Sequence, residues 1–195
     1  MKLPEPRRSS DVSLEESVAQ RRSVRTYKPG PVTADEVSQL LWAAQGITGP
    51  SGFRAAPSGG ATYPLETYLI AGDADGLEPG LYHYEQGSHS LTLVKNGDIR
   101  AELSEASLSQ PCVRDAAVII VLAAIYERTT ERYGDRGKMY VHMDVGHAAQ
   151  NVLLQATALG LGAVPVGAFR TRTIGGILGF SETELPMYLL PIGRL

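Results

Sequence analysis

MYVHMDVGHAAQNVLLQATAL, residues Met139 to Leu159, is the longest helical signal in the chain and sets the reading of the rest. Val141, Val145, Ala148, Ala149, Val152, Leu153, Ala156 and Leu159 recur at helical spacing and give a wide apolar face. Gly160 and Gly162 close the helix. Gly146, Ala148 and Ala149 keep it slim, so another helix can approach closely. An apolar face this wide on one long helix requires partners.

Outward from this helix the pattern changes repeatedly. On the C-terminal side, Ala163 to Ala168 reads as a short strand running into a turn. A small helix is expected near Thr173 to Leu178, and Met187 to Ile192 is a last strand. On the N-terminal side, the polar run Glu127 to Lys138 reads as a solvated helix face. Ala117 to Ile125 is a continuous apolar, Val/Ile-rich run, the pattern of a buried strand. Asp98 is expected to cap a helix reaching about Ser107. Gly80 to Tyr84 and Ser90 to Val94 alternate around a Gly-Ser turn and predict a hairpin. Thr67 to Ala71 is another strand. Residues 46–64 form a long loop dense in Gly and Pro, and loops of that length inside a domain are often functional. Two capping boxes open earlier helices: Ser13-Leu14-Glu15-Glu16, with a helix to about residue 22, and Thr33-Ala34-Asp35-Glu36, with Val37, Leu40, Leu41 and Ala44 behind it. Residues 1–12 read as a flexible arm, and 13–195 as a single domain. The irregular order argues for α+β rather than a doubly wound sheet.

Bulk properties narrow the class. The chain has 195 residues, 43% of them hydrophobic and 20% charged, which suits one domain with its own core. A net charge of −3 suggests no general affinity for nucleic acid or an anionic membrane. The lone Cys112 permits no internal disulfide and suits a reducing, cytoplasmic setting. No secretory h-region is visible at the start, and the run Ala116 to Ile125 is too short to span a bilayer.

Three segments are candidates for chemistry. Arg21, Arg22 and Arg25 offer guanidinium forks that match phosphate oxygens, and Ser23 adds a hydroxyl; the alternative is that they answer a helix C-terminus and face water. Pro57-Ser58-Gly59-Gly60-Ala61-Thr62-Tyr63-Pro64 is small enough to turn backbone N–H groups toward a planar or anionic ligand, or is a surface turn. Gly162 to Ala168 places Pro165 where a central strand tolerates it poorly, so it is an edge strand or a backbone held for a ligand. His142 and His147 are five apart, not the spacing of a helical zinc pair, and no metal site is expected. His147 reads as a packed or interface residue, and His83 and His89 as surface residues. No Ser-His-Asp order, Walker motif or GxGxxG is present.

Taken in this order, the segments resemble the nitroreductase family. Arg21 to Arg25 resembles its opening flavin-phosphate motif and Pro57 to Gly60 its second flavin loop. Ala163 to Phe169 resembles the segment beneath the isoalloxazine edge, and Leu190-Pro191-Ile192-Gly193 the closing strand. Pro57 to Glu66, and Tyr133-Gly134-Asp135-Arg136 through Gly146 to Asn151, are similar to the SagB/ThcOx-type dehydrogenases, a branch that includes peptide azoline oxidases.

The resemblance implies a nitroreductase-like mixed, mainly antiparallel sheet flanked by helices, in an intertwined homodimer with two interfacial FMN sites. It implies that Arg21, Arg22, Ser23 and Arg25 hold the FMN phosphate and ribityl chain, with Arg194 a further phosphate ligand. Pro57, Ser58, Gly59 and Gly60 would meet the flavin from the other subunit, and Pro165, Val166, Gly167 and Ala168 would line its N5 side. Hydride would pass through flavin N5, with NAD(P)H as donor and a nitro- or quinone-type or peptide substrate. In the azoline-oxidising branch a Lys-Tyr pair acts on the substrate proton; Arg132-Tyr133 stands there in this chain, which leaves Tyr133 as the candidate acid or base. The competing readings are an azoline dehydrogenase and a non-catalytic flavin- or ligand-binding dimer.

Overall fold

The computed structural model describes residues 1–195. Its helices are α1 (Leu14–Gln20), α2 (Ala34–Gln45), α3 (Arg100–Ala106), α4 (Pro111–Arg114), α5 (Glu127–Tyr133), α6 (Arg136–Ala158) and α7 (Thr171–Leu178). Its strands are β1 (Leu65–Ala71), β2 (Gly80–Glu85), β3 (Ser90–Asn96), β4 (Val118–Ile125), β5 (Leu161–Ala163) and β6 (Glu184–Arg194). They form one six-stranded sheet in the order β3-β2-β1-β4-β6-β5. Every strand pairing is antiparallel. Parallel contacts occur as isolated bridges, Ser23 to Ala163 and Val32 to Ala74.

β4 lies at the centre, with Val121 opposite Tyr68 of β1 on one side and Leu189 of β6 on the other. Successive side chains of a strand point to opposite faces, so β4 feeds two cores. Ile120 and Leu122, with Leu69, Leu190 and Ile192, pack beneath α2 and α6. Ile119 and Val121, with Ile70 and Leu189, pack against Leu103, Val113, Ile174 and Leu178 from α3, α4 and α7. Each of these buried aliphatic side chains contributes about 1.5–3 kcal/mol relative to exposure.

The reciprocal capping box at Thr33 and Glu36 is present. At Ser13 only half of the expected box forms: its hydroxyl accepts from Glu16 N–H, and α1 stops at Gln20. The polar run Glu127 to Lys138 is not one helix face. The chain turns at Gly134-Asp135, so α5 is separate and α6 begins at Arg136, three residues before the expected start. The last strand is longer than expected because it spans β4 over its whole length, with a register shift at Leu122/Ala123 that leaves Met187 as the extra residue.

The start of the expected arm is docked. Lys2 bridges Ser90, Leu3 is buried in the α2/α6 core, and the Arg7 N–H donates to Gln39 Oε1 at 2.8 Å. One buried apolar side chain, Leu3, backbone pairing on the β3 edge and side-chain bonds from Ser38 and Gln39 hold it, signals too scattered for periodicity to reveal.

Arg194, at the end of β6, forks onto Glu36 (Nη1 to Oε1 2.6 Å, Nη2 to Oε2 2.7 Å) and donates from Nε to the Pro31 carbonyl at 2.8 Å. Burial pushes the Glu36 carboxyl up, but bonds from Arg194 and Thr33 outweigh it and hold the pKa below the ordinary value. Glu36→Gln is expected to lower the free energy of unfolding in urea by about 1–2 kcal/mol at neutral pH. A depressed folded pKa gives stability that is present above the unfolded value and lost as pH falls through the folded one. The gap between wild type and variant therefore closes on acidification; a gap unchanged in acid would refute the assignment.

Candidate functional site

The chain leaving α1 runs along the β5–β6 edge. Val24 N–H donates to the Ala163 carbonyl at 3.0 Å, and the Tyr27 hydroxyl donates to the Pro191 carbonyl at 3.1 Å. Gly162 is required for this approach: a Cβ there would lie 2.7 Å from Val24 Cγ1. The path places Arg21 to Arg25 beside the segment Ala163 to Ala168. That segment continues the edge, with Val166 and Leu189 exchanging backbone hydrogen bonds at 2.8 and 3.0 Å. Val166 turns its side chain into the core, Pro165 is half-buried, and Gly167 and Ala168 are exposed. Two of the expected segments thus meet.

The arginines differ in what they are free to do. Arg21 and Arg25 enter none of the ion pairs. Arg22 instead turns back and donates to the Ala19 and Arg21 carbonyls at 2.9 and 2.8 Å, closing the C-terminal end of α1. Arg194 is turned onto Glu36 and Pro31, with Nε, Nη1 and Nη2 each donating to an acceptor there.

Pro57 to Gly60 lies elsewhere, at the N-terminal end of α6. Gly59 packs on Tyr140, and Gly60 sits at φ +62° under Tyr133 Oη, with no room for a Cβ. Arg132 Nη1 donates to the Gly60 carbonyl at 3.1 Å, and the Tyr133 ring meets Tyr140 edge-on at 5.1 Å. Tyr133 therefore belongs to this loop and not to the Arg21–Ala168 edge. Ala61 and Tyr63 also have positive φ, +54° and +46°, which costs free energy in non-glycine residues. The strained turn is held by the Tyr63 N–H donating to Ser58 Oγ (3.0 Å), a Thr62–Thr129 hydroxyl pair (2.8 Å) and Arg54 over the Tyr63 ring (4.5 Å).

Behind the loop runs a charged network that the sequence reading missed. Arg128 donates to the Tyr63 carbonyl and to Glu66 Oε1. Glu66 Oε2 pairs with His83 Nε2 and Glu85 Oε1 with His83 Nδ1, both at 2.9 Å. His83 is thus not a free surface residue; cross-strand pairing of β1 and β2 places it opposite Tyr68, beside Glu66. His89 is likewise half-buried, between the Tyr84 and Ser38 hydroxyls. His142 and His147, by contrast, are exposed along α6.

The profile described as "Nitroreductase family" matches residues 18–194. The chain belongs to the nitroreductase family. It is therefore an oxidoreductase. It is 47% identical over 184 residues to a protein of Methanocaldococcus jannaschii assigned as a nitroreductase, covering 94% of this chain and 92% of that one. It is 34% identical over 113 residues, 55% of this chain and 30% of the relative, to the trifolitoxin-processing protein TfxB of Rhizobium leguminosarum bv. trifolii. A crystal structure of a nitroreductase-assigned protein from Anabaena variabilis superposes with a TM-score of 0.82 at 31% identity, over 93% of this chain and 38% of the longer one.

The bond to Glu66 raises the His83 pKa, burial opposes it and Glu85 adds to it, for a value of about 9. A raised folded pKa gives stability that is fully present below the unfolded histidine value and lost as pH rises through about 9. An NMR titration should show the His83 ring changing near that value. His83→Gln should flatten the alkaline decline in stability. A ring that titrates like a free histidine would exclude the paired state.

Proposed function

We propose that this chain is an FMN-dependent oxidoreductase that works as a homodimer, taking hydride from NAD(P)H and passing it to a nitro- or quinone-type acceptor in the cytoplasm. The observation that carries this reading is the pair of unpaired cations, Arg21 and Arg25, with the exposed Ser23 between them, beside the backbone edge Ala163 to Ala168. Free guanidinium forks and a hydroxyl fit a phosphate and a polyol. The exposed Gly167 and Ala168, behind half-buried Pro165 and buried Val166, leave the edge open to a flat ring. Bound FMN would supply the hydride chemistry, and the chain's residues bind it, orient it and keep water from the ring.

The placement of the two halves of the site supports a second copy. The loop Pro57 to Gly60 packs at Tyr140, near the start of α6, whereas Arg21 to Arg25 lies against β5, which follows its end. From Tyr140 to Ala158 a helix rises on the order of 27 Å. Packing α6 against the reversed α6 of a partner would bring each loop to the other chain's arginines. The exposed side of α6 offers a surface for that: Met143 is 48% exposed, Gly146 and Gln150 are open, and exposed Leu14 and Val18 on α1 lie beside it. Such an apolar surface on a folded chain marks an interaction site.

Peptide azoline oxidation is the second reading. The likeness to a trifolitoxin-processing protein and the placement of Tyr133 on Gly60 favour it. Arg132 is turned onto the Gly60 carbonyl and stays protonated, so Tyr133 is the residue that would exchange a proton with substrate.

The purified protein is expected to be yellow, with flavin bands that bleach anaerobically on adding NADH or NADPH. Bands indifferent to nicotinamide favour the azoline reading, and failure to take up FMN sinks both enzyme readings. Arg25→Ala should weaken FMN binding by roughly 10- to 100-fold. A Cβ at Gly146 meets nothing within 4 Å in the single chain. Gly146→Arg should therefore fold normally yet elute as a monomer with little flavin; a flavin-loaded dimer would rule out the α6 interface.

A further inference from the structure

Asp144 is an acid on the apolar face of α6, one turn after Val141 and one before Ala148, and only 4% exposed. It enters no ion pair, and its Oδ2 has no hydrogen-bond partner. A buried polar atom left this way costs about 1–3 kcal/mol and calls for a reason. Gly59 packs on Tyr140, one helical turn before Asp144, so the loop lies against this stretch of α6, and Ser58 and Gly59 both favour the ionised carboxyl. Ser58 Oγ accepts from the Tyr63 N–H, so the Ser58 proton remains available for an acceptor below. Asp144 is the buried acid on α6 placed to offer such an acceptor beneath the loop.

We propose that Asp144 is the positioning residue of this loop: its carboxyl takes the Ser58 hydroxyl and the Gly59 N–H from beneath and so fixes the backbone that meets the cofactor. The proposal rests on the flavin reading for its ligand, though not for its anchor. An ionised carboxylate accepts more strongly than a neutral acid, so the grip tightens as Asp144 ionises. Burial raises its pKa, while Ser58, Gly59 and His147 pull it down. The other polar and charged groups bearing on this loop are Tyr140 on its own helix, which meets Gly59 and carries Arg136 over its ring, and Arg132 and Tyr133 from α5, which meet Gly60. FMN affinity should therefore rise with pH through the Asp144 titration.

The test is a fluorescence titration of FMN onto wild type, Asp144→Asn and Asp144→Ala across the acid-to-neutral range. Asp144→Asn keeps an acceptor oxygen but cannot ionise. It should match wild type at low pH and fall behind as pH rises, and the ratio of the two cancels the titration of the FMN phosphate. Asp144→Ala should bind about tenfold more weakly at neutral pH, with an apo melting temperature unchanged or raised. Equal affinities of all three proteins at every pH would overturn the proposal. If wild type takes up no FMN, the flavin reading fails alone. Amide exchange then decides the anchor: faster exchange at Gly59 and Tyr63 in Asp144→Ala supports it, and unchanged exchange rejects it.

Discussion

A strand that is apolar on both faces cannot lie at a surface, and β4 imposes that condition on the whole molecule. Its eight residues, Val118 to Ile125, are buried almost without interruption. Each face therefore needs a covering layer. α2 and α6 cover one, and α3, α4 and α7 the other. α6 is the longest of these, and burying one side of it against the sheet leaves the opposite side of its first half open, at Met143, Gly146, His147 and Gln150. The α6 surface is thus a consequence of the core. So is the separation of the two candidate half-sites, since each is tied to a different end of that helix.

The half-sites are built in different ways. Arg21 to Arg25 is laid on a sheet edge by backbone pairing with Ala163, which leaves the side chains at 21 and 25 unused. Pro57 to Tyr63 is a turn held in left-handed conformations against its own preference by Ser58, Thr129, Arg54 and Arg128. Such strain persists only where the surroundings over-determine it, and it is common where a backbone is pre-shaped for a ligand. Behind it, Arg128, Glu66, His83 and Glu85 tie the turn into β1 and β2.

Much of the fold was legible because its signals are periodic and local. The Val/Ile run of β4, the Gly-Ser hairpin, the Thr33 box and the apolar stripe of α6 each require only a few neighbouring residues to be read. The features that escaped depend on pairing between distant segments. Leu3 docks because β3 presents an edge to residues 1–3. His83 is bridged because β1 and β2 align it with Glu66. Arg194 and Glu36 are 158 residues apart and meet only because β6 ends over the start of α2. Asp144 did leave a trace: an acid inside an apolar stripe contradicts the pattern around it, and such local contradictions mark positions held for something other than packing.

The arginines make the same point about function. Arg21, Arg22, Arg25 and Arg194 carry the same fork and all looked like phosphate ligands. The structure divides them by what each is already bonded to. Arg22 closes its own helix, and Arg194 is engaged by one carboxylate and one carbonyl. A guanidinium already turned onto acceptors offers an anion fewer free N–H groups or must give up bonds it holds, so its net contribution to binding is smaller. Arg21 and Arg25 carry no such cost. Affinity for an anion at this edge depends on the arginines that the fold leaves without a partner, and those are set by topology rather than by residue type.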